Sequence, residues 1–248
     1  MQGHAPGVCL WRIELARRVS VPRIPDPRAV PAVGSDDHLP ALSPEHLSPH
    51  AIRRRFVDAG YWQAPIPGDG GLRRSQPVPA SVLVPLVHRE DGLHVLLTRR
   101  TDHLRDHAGQ ISFPGGRSEP GDPDAVATAL REAHEEVGLP PELIDPIGSL
   151  PTYTTVTHFV VTPVIALVRP DFEVRLDAFE VAEVFEVPLA FLMSPANHRR
   201  HRFPFDGGER QFLSMPWRRP TPEGGEVEYF IWGATAAMLR NLYHVLAR

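Results

Sequence analysis

The apolar positions of this chain change period along its length. Ser81 to His88 and Leu93 to Arg99 are apolar, β-rich runs, and Arg89-Glu90-Asp91-Gly92 between them predicts a hairpin. Phe159 to Val168 is a third run, in which Pro163 predicts an edge position or a bulge. Glu180 to Val187 and Glu226 to Trp232 carry weaker strand patterns. The spacing turns helical at Val126, Ala129, Leu130, Ala133 and Val137, and again at Met238, Leu239, Leu242, Val245 and Leu246. A shorter helix is predicted from Ser48-Pro49, a cap and a first-turn residue, to Ala59, with Gly60 as its terminator. Strands that precede and surround helices predict an α+β sandwich rather than a doubly wound sheet.

The first forty or so residues have a different texture. Pro22, Pro25, Pro27, Pro31, Pro40 and Pro44 crowd a stretch with few aromatics, which predicts an extended, poorly ordered arm over residues 1–45. Residues 46–248 then form the folded domain. A formal charge of −4 gives no general attraction to nucleic acid, so an anionic ligand needs a local basic cluster. The single cysteine, Cys9, fits a reducing compartment. The apolar runs are too short to span a bilayer, and Arg12 and Glu14 interrupt what would be the core of a secretory signal. The expected location is the cytoplasm.

The best-punctuated helix carries the chemistry. Asp122 reads as its cap, Pro123 as its first residue and Gly138 as its end, with Pro140 preventing continuation. Glu132, Glu135 and Glu136 share the face beside its apolar stripe, since residues three and four apart are neighbours. No lysine or arginine is read one turn away on that face to relieve their repulsion. The spacing leaves two readings open: a solvated acidic face, or a site for a hard divalent cation. The loop Ser112-Phe113-Pro114-Gly115-Gly116-Arg117 precedes the helix, and its glycines permit backbone to approach a phosphate or a metal closely.

The segment Gly116 to Leu139, ending Arg131-Glu132-Ala133-His134-Glu135-Glu136-Val137-Gly138-Leu139, resembles the Nudix box, a loop-helix-loop of pattern Gly-x5-Glu-x7-Arg-Glu-U-x-Glu-Glu-x-Gly-U, where U is apolar. The second half matches throughout. In the first half the acid is Asp122, and eight residues rather than seven separate it from Arg131. The resemblance implies a Nudix-type α/β/α sandwich with a mixed sheet, and hydrolysis of a nucleoside diphosphate derivative with Mg2+ or Mn2+. It further implies Glu132 and Glu136 as principal metal ligands, with Glu135 helping to bind a further ion or its water. The Gly116 carbonyl can add a ligand, and Arg131 would orient a glutamate. The general base would be a helix glutamate or a carboxylate from a distal loop, for which Glu180 is the candidate.

Upstream, Leu96-Leu97-Thr98-Arg99-Arg100-Thr101, then Arg105, Gly109 and Phe113-Pro114-Gly115-Gly116, resembles the extra motif of the coenzyme A pyrophosphatase branch of that family. Only Thr101 departs, standing where the motif has Ser or Ala. Arg100 and Arg105 would bind phosphate oxygens bidentately, and Gly115 and Gly116 would face the diphosphate. The implied partner is a small molecule, with no nucleic acid and no membrane; related enzymes are often dimers. Alternatives are a Nudix hydrolase of ADP-ribose or NADH, or a non-catalytic nucleotide-binding module. His198-Arg199-Arg200-His201-Arg202 reads as a solvated loop, and only part of Arg53-Arg54-Arg55 can face one ligand from a helix.

Overall fold

A computed structural model describes residues 22–57, 62–69, 77–103, 109–221 and 224–248. The strands are β1 (Ala32–Ser35), β2 (Val78–Arg89), β3 (Gly92–Arg100), β4 (Ile111–Ser112), β5 (Gly115–Arg117), β6 (Ile144–Ser149), β7 (Tyr153–Thr154), β8 (Phe159–Val168), β9 (Val181–Pro188), β10 (Arg199–Phe205), β11 (Gly208–Pro220) and β12 (Glu226–Trp232). The helices are α1 (Pro49–Val57), α2 (Ala125–Val137), α3 (Leu189–Leu192) and α4 (Gly233–Leu246). The class is α+β, as expected.

The larger sheet is mixed and runs β4-β3-β2-β8-β6, with β5 on β2, β7 on β8 and β9 on β3. The predicted hairpin pairs Leu86 with Val95 and closes at Arg89↔Gly92. β2 and β8 run parallel in the centre. Alternate side chains there face opposite layers. Leu83, Val87, Leu96, Val164, Ala166 and Val168 pack against Ala129, Ala133 and Val137 of α2. Val84, Leu86, Val95, Leu97, Ile165 and Leu167 face the other way, into a core shared with α4 and with Leu213, Met215, Tyr229 and Ile231. Both faces are buried, so the runs read as continuously apolar.

The second face is covered by α4 together with a second sheet, β1-β10-β11-β12. Some readings of individual segments are corrected. The proline-rich segment is docked from residue 22 onward: β1 pairs with β10, while Ile24 and Val30 are buried beside Phe212. Extended backbone, which prolines favour, is also what an edge strand needs. His198 to Arg202 is no solvated loop. It leads into β10, with His198 and His201 buried. Pro163 lies inside the sheet, and its carbonyl accepts from Leu150 N–H at 2.9 Å. Its missing N–H falls between the ends of β6 and β7, which pair with Val164 and Val161. Ser48 caps α1 through Ala51 N–H at 3.3 Å, and the helix is described to Val57; Ala59 and Gly60 lie outside the described residues.

Candidate active site

Helix α2 begins two residues later than its sequence suggests. Asp124 is the cap, accepting from Ala127 N–H at 2.8 Å, and Gly138 ends the helix in the left-handed conformation at φ 69°. Asp122 has another partner. Its carboxylate oxygens receive Arg131 Nε and Nη2 at 3.1 Å each, while Glu119 N–H and Thr128 Oγ1 donate at 2.9 Å. These bonds, that from Arg131 foremost, hold its carboxyl well below the usual carboxylate range. The capping role read for Asp122 is therefore replaced by a clamp on Arg131. The extra residue between them is accommodated in the loop.

The three helix glutamates meet different surroundings. Glu136 is only 5% exposed and accepts from Gly115 N–H at 3.1 Å. Burial pushes its carboxyl up to about 8, against the opposing effects of that bond and of Arg100; Glu132 and Glu180 push the same way as burial. Glu132 is half-buried and also raised, chiefly by burial. Its carboxylate lies so close to Gly116 that a Cβ there would stand 2.5 Å from Glu132 Cδ. Gly115 is equally constrained, since a Cβ would fall 2.6 Å from Val82 Cα. Glycine is thus required at Gly115 by backbone contact and a positive φ of 156°, while at Gly116 a side chain would push the Glu132 carboxylate aside. Glu135 points outward, with its side chain 56% exposed, and receives Arg131 Nη1 at 2.9 Å.

Arginines do relieve these acids, contrary to expectation. Arg131 reaches Glu135 from one turn back and also touches Glu132 at 3.1 Å. Arg100 arrives from β3, with Nη1 at 3.6 Å from Glu136 and Nη2 at 3.5 Å from Glu180. Here it is paired with carboxylates, where the sequence suggested a phosphate ligand. Glu180 comes to the same cluster because Thr101 fastens the entry to β9. Thr101 N–H donates to the Glu180 carbonyl at 3.0 Å, and its hydroxyl to the Phe179 carbonyl at 2.8 Å. The structure therefore gathers Glu132, Glu136, Glu180, Arg100, Gly115 and Gly116, with Glu135 on the rim. Arg105 lies outside the described residues.

The donor set suits a hard cation. All its side-chain donors are carboxylate oxygens, two of them partly stripped of water and mutually repelling, beside a backbone that only glycine allows. Among the described residues no three acidic, histidine or cysteine side chains form a closed cage. Magnesium does not need one, since it is usually held by one or two carboxylates with water and substrate phosphates.

Sequence reasoning missed two features. Ser81, opposite Gly116 in the β2–β5 register, is 1% exposed and its Oγ has no hydrogen-bond partner among the described residues. On the far side of β3, Glu183 binds Arg99 at 3.3 Å, Arg219 at 3.5 Å and the Tyr229 hydroxyl at 2.5 Å. The one legible sign of this network was the pairing of consecutive arginines, Arg99 and Arg100, which a strand sends to opposite faces.

Residues 77–207 match the family model described as the NUDIX domain. Proteins described as "Uncharacterized Nudix hydrolase NudL" from Enterobacter sp. (strain 638) and Escherichia coli (strain K12) are each 42% identical over 167 residues, covering 66% of this chain and 80% of the relative. Among solved structures, a Caenorhabditis elegans Ap4A hydrolase aligns with TM-score 0.40 and 21% identity, covering 46% of this chain and 85% of that one. A MutT/nudix family protein from Enterococcus faecalis aligns with TM-score 0.43 and 15% identity, covering 81% and 74%. On the domain match and the 42% relatives, with the glutamates of α2 set against the Gly115-Gly116 loop, the chain belongs to the Nudix hydrolase family.

Proposed function

We propose that this chain hydrolyses the diphosphate of coenzyme A or acyl-coenzyme A with Mg2+ or Mn2+, releasing 4'-phosphopantetheine or its acyl form and 3',5'-ADP. The observation that carries the hydrolytic part is the placement of Glu132 and Glu136 against the Gly115-Gly116 loop, with Glu136 bonded to Gly115 N–H. The substrate rests on the arginine-bearing segment from Leu96 to Gly116. Retention of Glu132, Glu135 and Glu136 speaks against a binding module without turnover.

When bound, the ion supplies positive charge to the diphosphate and acidity to water. Glu132 and Glu136 would hold it, with Glu135 serving a further ion or its water. Glu180, whose side chain is 43% exposed and paired with Arg100, is the candidate to take a proton from the attacking water. Glu135 is the other carboxylate open to that role. Arg131, pinned by Asp122 and the Arg117 carbonyl at 2.9 Å, orients the neighbouring glutamates and does not reach for substrate. Arg100 can turn from its carboxylates to a phosphate oxygen once their charge is compensated, and Arg105, by its place in the sequence motif, would add a second guanidinium. A panel of coenzyme A, acetyl-coenzyme A, ADP-ribose, NADH and nucleoside triphosphates tests the reading. The coenzyme A compounds should have the highest kcat/KM; preference for ADP-ribose or NADH would refute the substrate while leaving the hydrolase.

A further inference from the structure

Behind the carboxylate cluster lies a cleft of about 610 Å3, bounded by the segment before β1, the start of β4 and strand β12. Its size falls within the range of small-molecule sites, roughly 300–1,000 Å3. Four arginines from four parts of the chain line it: Arg23, Arg28, Arg99 and Arg219. Its two glutamates are oversubscribed. Glu183 is shared by Arg99 and Arg219, and Glu228 by Arg28 at 3.3 Å and Arg218 at 3.1 Å. Asp26 turns its carboxylate back onto the Arg28 N–H at 3.0 Å. Arg23 forms no ion pair among the described residues. Against the four arginines the lining sets Glu183, Glu228 and Asp26, which leaves one guanidinium in excess, the exposed Arg23, free to take an anion.

The cleft lies across β3 from the catalytic cluster. Gly109, Gln110 and Ile111 line it, and the Gln110 carbonyl receives the N–H of Arg100 at 3.0 Å. Arg99 faces the cleft and Arg100 faces Glu136 and Glu180, so one strand separates the two. We propose that this arginine cleft is a subsite for a phosphate group that the substrate carries outside its scissile diphosphate. The proposal rests on the diphosphatase reading and sharpens it. It gives the chain a means of preferring a nucleotide with an additional ribose phosphate, and it makes the segment at Arg23–Arg28 part of substrate recognition.

The test needs no turnover. Calorimetric titration of the full chain with 3',5'-ADP and with 5'-AMP compares ligands that differ by one phosphate. Wild type should bind 3',5'-ADP at least about tenfold more tightly, the value of one charge-assisted contact. Arg23→Ala/Arg28→Ala should reduce that preference to within about threefold, and Arg28→Lys should keep part of it, with melting temperatures unchanged because both side chains are exposed. No preference in wild type, or a preference undiminished in the double variant, would overturn the subsite. Loss of the preference in the double variant of a chain that leaves coenzyme A intact supports the subsite and refutes only the substrate assignment.

Discussion

Glu135 and Glu136 are consecutive in sequence and opposite in circumstance: one side chain is largely exposed, the other is buried against Gly115. A buried carboxylate whose proton affinity is raised makes the ionised fold less stable, which is tolerable when the charge has a use. Glu136→Gln should accordingly leave melting temperature equal or higher at pH 7, while kcat falls by two orders of magnitude or more, about 3 kcal/mol of barrier. Retained turnover, or a loss of activity that merely tracks unfolding, would break the assignment. The glutamates were legible in the sequence because their relation is local, set by helical spacing. The Arg100 pairing was not legible, since its partners sit on α2 and at the entry to β9 and only the sheet register brings them together. The sequence put the cap at Asp122; Arg131 claims that carboxylate, and Asp124 caps the helix instead.

At the scale of elements, the hairpin β2–β3 and strand β8 follow from apolar pattern alone, because each buries a face against the core, while β9 and β12 show it more weakly. Strand β10 hid behind five charged or titratable residues in a row, and its burial depends on partners distant in sequence. His198 just before it shows the consequence. Its Nε2 meets the Leu192 carbonyl at 2.7 Å, its Nδ1 meets Arg240 Nη1 at 2.9 Å, and burial lowers its pKa to about 4. Its folded value lies below the unfolded one, so its contribution is fully present above about pH 6.5 and is lost as pH falls toward 4. Over that window this group alone should remove about 3 kcal/mol. Urea denaturation midpoints between pH 7 and pH 4 should fall accordingly, and His198→Gln should flatten the slope. A wild-type slope that the substitution leaves unchanged would show that other groups set it.

Across the whole molecule, the surprise is how far the segment before α1 is built into the fold. Asp36 is fully buried, held by Arg200 and by Arg240 at 2.9 Å, and so ties that segment to β10 and α4. Proline content suggested an arm because composition reports backbone preference and is silent about a few well-placed anchors. Asp36→Ala would leave the buried Arg240 short of a partner, a loss on the order of 3–5 kcal/mol. The expected readout is a large drop in melting temperature at neutral pH, and a drop of only a degree or two would mean the segment is not integral. That segment also walls the arginine cleft, so fold and proposed specificity depend on one another here. The most direct test of the central claim is chromatographic identification of the products formed from coenzyme A by the full chain with Mg2+. The expected result is equal amounts of 4'-phosphopantetheine and 3',5'-ADP, abolished by chelation and by Glu136→Gln. Intact coenzyme A alongside cleavage of ADP-ribose or NADH would contradict it.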